Sequence, residues 1–395
     1  MMSFDISSHY QKAVIENVRF WQRRIFDDKM AIDQWRPQHE AVWQAVEAGL
    51  SYAAAQAEAA AFAVDLLPTI ERWGVWPDWL LLIDKALALT LTANLQIRLR
   101  LTQGQLYLFN RNFNDAISLL ETALVQAGQY QNQELITLAH YYLTNAYLGD
   151  KAYAKARDHA AKALDLLTPN QLEIQAALYN SLGLIERETG KFAASEAWFQ
   201  QALALWEALD KPTQLARSCL NLSVVYQEQR RWAKAKACYE QANVALDSTD
   251  SVVDKLKALN ELGTLQYMTD DLPAAVKTFR QGVVAASQLQ GMYHLRGSLT
   301  HNLGNALLAM GHWIEARGFL EKSIKLWQQA NDALERANSI GTLAELFEAQ
   351  EEWALAAFTY GQALELLGSY PDHPWAQKLN TQFEAAQARC AVLAG

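Results

Sequence analysis

The sequence predicts an all-α fold, a right-handed superhelical solenoid of helix–turn–helix repeats. Three observations predict it. Half of the 395 residues are hydrophobic, with only 8 prolines and 18 glycines. Ala, Leu, Gln and Glu, all good helix formers, dominate, and strand-type alternation is absent. The second observation is a period. A small position recurs as Gly104, Thr144, Gly183, Ser223, Gly263, Gly304 and Ala344, at spacings of 39 to 41 residues. The third is that other columns keep register with it. Nine positions on lie Phe113, Tyr153, Phe192, Trp232, Leu272, Trp313 and Trp353. Twelve on lie Ala116, Ala156, Ser195, Ala235, Ala275, Ala316 and Ala356. Nineteen on lie Ala123, Ala163, Ala202, Ala242, Gly282, Ser323 and Ala363. Four columns in register over seven units mark stacked helical pairs, and a stack of this kind grows without splitting into domains.

The clearest unit is Asn302-Leu303-Gly304-Asn305-Ala306 running on to Gly311-His312-Trp313-Ile314-Glu315-Ala316. It reads as a helix, a tight turn at Gly311, and the start of a second helix. Small residues stand where two helices must touch. A leucine precedes the small position as Leu143, Leu182, Leu222, Leu262, Leu303 and Leu343, with Gln103 the exception. Four residues after the Ala column come Phe199, Tyr239, Phe279 and Tyr360, with Leu120, Ala160 and Leu320 as variants. These columns resemble the tetratricopeptide repeat over about residues 93–367. The chain departs from that pattern in its period, near 40 rather than 34, and in lacking the closing proline. Longer helices are therefore expected, and kinesin light chains and bacterial signalling repeat proteins are similar in this respect.

Taken in order, residues 1–92 read as an irregular N-terminal helical cap with a degenerate repeat. His9 to Phe26 forms an amphipathic helix with Val14, Val18, Trp21 and Ile25 on one stripe and Arg19, Arg23 and Arg24 beside it. It either docks a partner or covers the end of the stack, as terminal repeats require. Asp33 to Pro37 breaks the chain, His39 to Leu50 starts another helix, and Ser51 to Arg72 reads as one Ala-rich helix. Trp73, Trp76 and Trp79 then crowd a turn, as a binding hot spot or as packing wedges. Pro77 suits a first helical position, and a helix is expected from there to Leu91. His39 to Glu47, the Ala-rich helix, the Trp-Gly turn and Leu82-Ile83-Asp84-Lys85-Ala86-Leu87 also resemble the sensor arm of STAND-type signalling ATPases. The nucleotide machinery of that family is missing, since no G-x-x-x-x-G-K-[ST] occurs.

Seven repeats are expected over residues 93–368. Breaks fall at Thr168-Pro169-Asn170, at Asp210-Lys211-Pro212 and at Asp247 to Asp250, where Ser and Asp suit helix starts. Residues 369–395 read as a loop and a C-terminal capping helix from Trp375 to Leu393.

The functional classes narrow quickly. A net charge of −9 argues against nucleic acid or an anionic membrane as a partner. There is no apolar run of 18 residues and no signal-peptide pattern at Met1 to Tyr10, so a cytoplasmic protein is expected. Cys219, Cys238 and Cys390 are too few for a disulfide framework, and the first two fall on core positions. The eight histidines include no H-x-x-x-H, and no nucleophile elbow or phosphate loop occurs. No catalytic residue, cofactor or metal is expected.

A binding function is. In the resembled family the partner lies on the concave wall, made by the first helix of each pair. The positions that face it here include Tyr141, Asn145, Asn180, Arg187, Arg217, Gln227, Asn260, Tyr267, His301 and Asn305. An asparagine on such a wall holds both the N–H and the C=O of an extended peptide, or else bonds between neighbouring helices. Arg187, Arg217 and Lys257 suggest a modestly basic middle section suited to a carboxylate-bearing peptide. Asn145, Arg217 and Asn221 match part of the family's chaperone-binding clamp, but Tyr141 and Ser181 break it. The expected function is a non-catalytic scaffold holding a peptide or helix of a partner protein. The alternative is a sensor of a small ligand or signalling peptide that controls an effector.

Overall fold

The computed structural model describes residues 6–27, 38–73, 78–289, 291–371 and 373–395. Among them are twenty helices and no strand. Before the regular stretch come α1 (Ile6–Phe26), α2 (His39–Ser51), α3 (Gln56–Asp65), α4 (Leu67–Trp73) and α5 (Trp79–Leu87). The repeats follow as pairs: α6 (Ala93–Phe109) with α7 (Phe113–Gln129), α8 (Gln133–Gly149) with α9 (Tyr153–Leu166), and α10 (Leu172–Glu188) with α11 (Phe192–Ala208). Next are α12 (Pro212–Glu228) with α13 (Trp232–Asp247), and α14 (Val252–Met268) with α15 (Leu272–Ala286). The last pairs are α16 (Tyr293–Ala309) with α17 (Trp313–Gln329), and α18 (Ala333–Ala349) with α19 (Trp353–Leu367); α20 (Pro374–Leu393) ends the chain. The chain divides into two compact units, residues 1–229 with 240–254, and residues 230–239 with 255–395.

The period has a simple origin. In the first repeat two 17-residue helices, each followed by a three-residue turn, make 40 residues. The columns are the contacts that hold each pair. Every residue of the column twelve positions on is fully buried, from Ala116 to Ala356. The glycines of the small column face the column four residues after the alanines. A Cβ added at Gly183 would lie 2.8 Å from the Phe199 ring, and one at Gly263 would lie 2.5 Å from Phe279. At Gly104 and Gly304 the facing residues are Leu120 and Leu320. In the third repeat Ser195 also donates a hydrogen bond to the Gly183 carbonyl, at 2.7 Å.

The turns repeat one backbone device. Seven positions after the small residue, each turn carries a left-handed residue: Arg111, Lys151, Gly190, Arg230, Asp270, Gly311 and Glu351. In the first repeat Arg111 N–H donates to Leu108 O and Asn112 N–H to Tyr107 O. This pair of bonds closes a helix C-terminus on its own carbonyls. Only two of the seven turns use glycine, so main-chain bonding and not residue type sets the turn.

The N-terminal segment differs from expectation at α5, which ends at Leu87 rather than Leu91, and in the stretch before it. Residues 51–72 are not one helix: α3 stops at Asp65 and α4 begins at Leu67. Pro68 lacks a donor and suits a first turn, which lets a new helix start there. Val14, Val18, Trp21 and Ile25 are buried, as the α1 stripe predicts, and Arg19 pairs with Glu58 of α3 at 2.7 Å. Trp79 is buried, while Asp33 to Pro37, Trp76, Pro77 and the Trp73 ring lie outside the described residues. Gln103, the exception in the leucine column, is explained by α5, because its amide donates to the Asp84 carboxylate. All three cysteines are buried.

Candidate functional site

The first unit contains a cavity of about 1020 Å³. Its floor is made by the first helices of the second, third and fourth repeats, α8, α10 and α12. Helical spacing brings their inward residues onto one wall: Tyr141 and Asn145, then Asn180 and Ser181, then Arg217 and Ser218. Tyr142, Ile174 and Trp206 add apolar surface, and Ser248 to Asp250 form part of the rim. The other side comes from outside the repeats, from Phe26 at the end of α1 and from Pro68, Thr69 and Glu71 of α4.

Hydrogen bonds tie the wall together from repeat to repeat. The Asn145 side-chain oxygen accepts from Ser181 Oγ at 2.7 Å. The Asn180 oxygen accepts from Ser218 Oγ at 3.0 Å and from Asn221 Nδ2 at 3.2 Å. Of the two roles open to these asparagines, the bond between neighbouring helices is the one seen in the wall. Burial pushes the Tyr141 phenol up and the Tyr142 phenol well above its usual range, so both stay protonated; at Tyr141 a hydrogen bond with Asn145 works in the opposite direction.

Arg217 is held by two carboxylates. Its Nε and Nη2 donate to Asp254 at 2.8 and 2.9 Å, a two-pronged pair. Its Nη1 lies 2.8 Å from Glu71 of α4. Burial alone would push the guanidinium down, but the Glu71 and Asp254 charges outweigh it and hold Arg217 protonated. Asp254 is fully buried and also accepts from Ser251 Oγ. The expected basic middle section is therefore corrected: at Arg217 the charge is balanced within the chain, and Arg187 pairs with Glu188. On the rim Lys211 pairs with Glu173 at 2.7 Å.

Four of the ten expected residues, Tyr141, Asn145, Asn180 and Arg217, thus share this cavity. Arg187 and Gln227 belong to the same unit but do not line it, and Gln227 is buried. The remaining four lie in the second unit, where they join first helices in the same way. Asn302 Nδ2 donates to the Asn260 oxygen at 3.0 Å, Tyr267 bonds with Asn305, and His301 Nδ1 lies 3.0 Å from Ser339 Oγ. Burial pushes the His301 imidazole down to about 4. Sequence reasoning missed Glu71 and Asp254. The second was marked by Ser251-Val252-Val253-Asp254, a capping-box pattern at the start of α14. Glu71 carried no local signal.

No group of three or more His, Cys, Asp or Glu side chains that could hold a metal ion occurs among the described residues. No described helix is long and apolar enough to cross a membrane.

Comparison with known proteins agrees with this architecture. A family model described as the tetratricopeptide repeat matches residues 174–242 and 295–369. No curated protein matches the sequence. Among solved structures, the APC/C heterotetramer Cut9–Hcn1 is similar with a TM-score of 0.58 and 15% identity, over 88% of this chain and 60% of that one. A STAND protein with a tetratricopeptide repeat sensor from Pyrococcus horikoshii gives 0.57 and 13%, over 88% and 55%. The apo quorum sensor NprR from B. thuringiensis gives 0.54 and 15%, over 91% and 99%. NprR has also been solved in complex with its cognate peptide NprX. The chain spans less than two thirds of the length of the first two. These likenesses are of fold. Together with the columns and their buried contacts, they support tetratricopeptide repeats in this chain, which the family model matches at residues 174–242 and 295–369.

Proposed function

We propose that the chain is a non-catalytic binding module for a peptide or an extended segment of a partner protein, and that the cavity of the first unit is its site. One observation carries this reading. A cavity of about 1020 Å³ is walled by aromatic rings and by amide and hydroxyl groups from three successive first helices. This volume is at the upper end of ligand sites, and the mixture of apolar walls with a few convergent polar groups is what such sites have. Asn180, whose oxygen is taken by Ser218 and Asn221, still offers its amide donor to a main chain laid along the groove. The peptide complex of NprR supports the same reading by likeness of fold.

The test is selection of a random peptide library on the purified chain, beside Ala177→Trp, whose ring would fill the groove between α8 and α12. Peptides enriched on the wild type and lost from the variant would support the site. Equal enrichment on both would place binding elsewhere.

A sensor is the second reading, favoured because the cavity is shared between the repeats and α4. An occupant would touch two separate parts of the first unit. A change in radius of gyration with bound peptide, read by small-angle X-ray scattering, distinguishes a sensor from a passive scaffold.

A further inference from the structure

Arg217 has two faces with different surroundings. The edge formed by Nε and Nη2 is locked on Asp254, which is fully buried, and Ser251 braces that carboxylate in turn. The Nη1 corner is the one that Glu71 occupies, and both Arg217 and Glu71 line the cavity. About a quarter of each of these side chains is open to solvent, 26% for Arg217 and 27% for Glu71. The two ion pairs therefore differ in kind. The inner pair is rigid and costly to break, because it would leave a buried charge. The outer pair is partly open to water, so breaking it costs less than breaking the inner one. Asp254 thus acts as a positioning residue: it aims a fixed guanidinium corner at the cavity, and an arginine, unlike a lysine, keeps that geometry.

We infer that the cavity takes a ligand bearing a carboxylate, which replaces Glu71 on Nη1 of Arg217 and frees the last turn of α4. Glu71 is then an internal stand-in for the ligand. The exchange conserves charge at the site, one carboxylate leaving as another enters, so no new buried charge is created. The other charged groups at the cavity do not offer an equal seat. Lys211 is paired with Glu173, and Asp250 is itself acidic. The α4 helix has only seven residues, and Leu67 and Ile70 are buried, so release of Glu71 loosens its last turn and leaves its first part seated. This inference rests on the cavity being a peptide site and adds the chemistry of its ligand.

The experiment uses three acetylated random heptapeptide libraries on the full chain. The first lacks Asp and Glu and ends in an amide, so it carries no carboxylate. The second lacks Asp and Glu but ends in a free acid. The third contains Asp and Glu and ends in an amide. Each is bound to the wild type, Glu71→Gln and Glu71→Ala, with melting curves showing that the variants fold. The expected result is preferential retention of the second or third library, which tells a chain terminus from an acidic side chain. Retention should rise about tenfold in both Glu71 variants, within the usual range for such coupling. Amide hydrogen exchange at residues 70–73 of the wild type should also quicken when the retained peptide is bound. Equal retention of all three libraries would overturn the carboxylate inference while leaving the peptide site standing. Unchanged retention in the Glu71 variants would overturn the displacement of Glu71. No retention by any of the three proteins would overturn the peptide site itself, and this inference with it.

Discussion

Gly183 offers the sharpest test of how the repeats are held together. It sits in α10 against Phe199 of α11. A Cβ built there would meet three ring atoms at 2.8 to 2.9 Å, closer than carbon atoms tolerate. Phe199 is fully buried, so its ring cannot swing into solvent. Two effects oppose each other in Gly183→Ala. Helix propensity favours alanine by about 1 kcal/mol, while overpacking a filled core costs about 1–3 kcal/mol. The second should win, leaving a net loss of about 1 kcal/mol. Gly183→Leu brings three more carbons into the same contact and should lose about 3 kcal/mol, the upper end of that range. Urea denaturation followed by helical circular dichroism reads both. A double mutant with Phe199→Leu isolates the contact, and the two changes should couple by at least about 0.5 kcal/mol. A Gly183→Ala protein more stable than the wild type would refute the reasoning, since propensity alone would then account for the site.

Other expectations follow from the same structure. Gly318 lies inside α17 with nothing near its missing Cβ, so Gly318→Ala should stabilise by about 0.5–1 kcal/mol in the same urea assay. Lys151 has φ +62°, and Lys151→Gly should raise the melting temperature, because relief of about 1–2 kcal/mol of left-handed strain exceeds the entropy that glycine adds to the unfolded chain. Arg217→Met removes the guanidinium from the buried Asp254 carboxylate and should cost about 3–5 kcal/mol by denaturant midpoint. Burial pushes His301 down to about 4, and burial with the neighbouring His159 does the same to His140. The unfolded chain binds protons at these sites near pH 6.5 and the folded one only near 4, so stability should fall as pH drops through that window. His301→Asn should flatten the fall between pH 7 and 5, and an unchanged slope would count against the buried, neutral imidazole.

The sequence revealed most of the fold because its columns are packing requirements. Where Gly183 must admit Phe199, or where Ala116, Ala156 and Ala316 must pass a neighbouring helix, only small residues fit, and their recurrence is visible. The left-handed column was hidden for the opposite reason. Main-chain bonds close those turns, so Arg111, Lys151, Asp270 and Glu351 stand where glycine would have announced them. Composition concealed the break between α3 and α4, since an Ala-rich run looks helical throughout. In the candidate site, periodicity placed Tyr141, Asn145, Asn180 and Arg217 on one wall. It gave no hint of Glu71, whose partner lies 146 residues further along the chain, and so it left Arg217 looking like an unbalanced cation.

That separation also bears on how the protein is made. The wall bonds join residues 36 to 42 positions apart, so each repeat can lock onto the previous one soon after synthesis. Glu71 must wait for Arg217. At about 5–20 residues per second the delay is roughly 7–30 s. During that interval the Glu71 carboxylate waits for its guanidinium, and the half-built groove stands open at the ribosome.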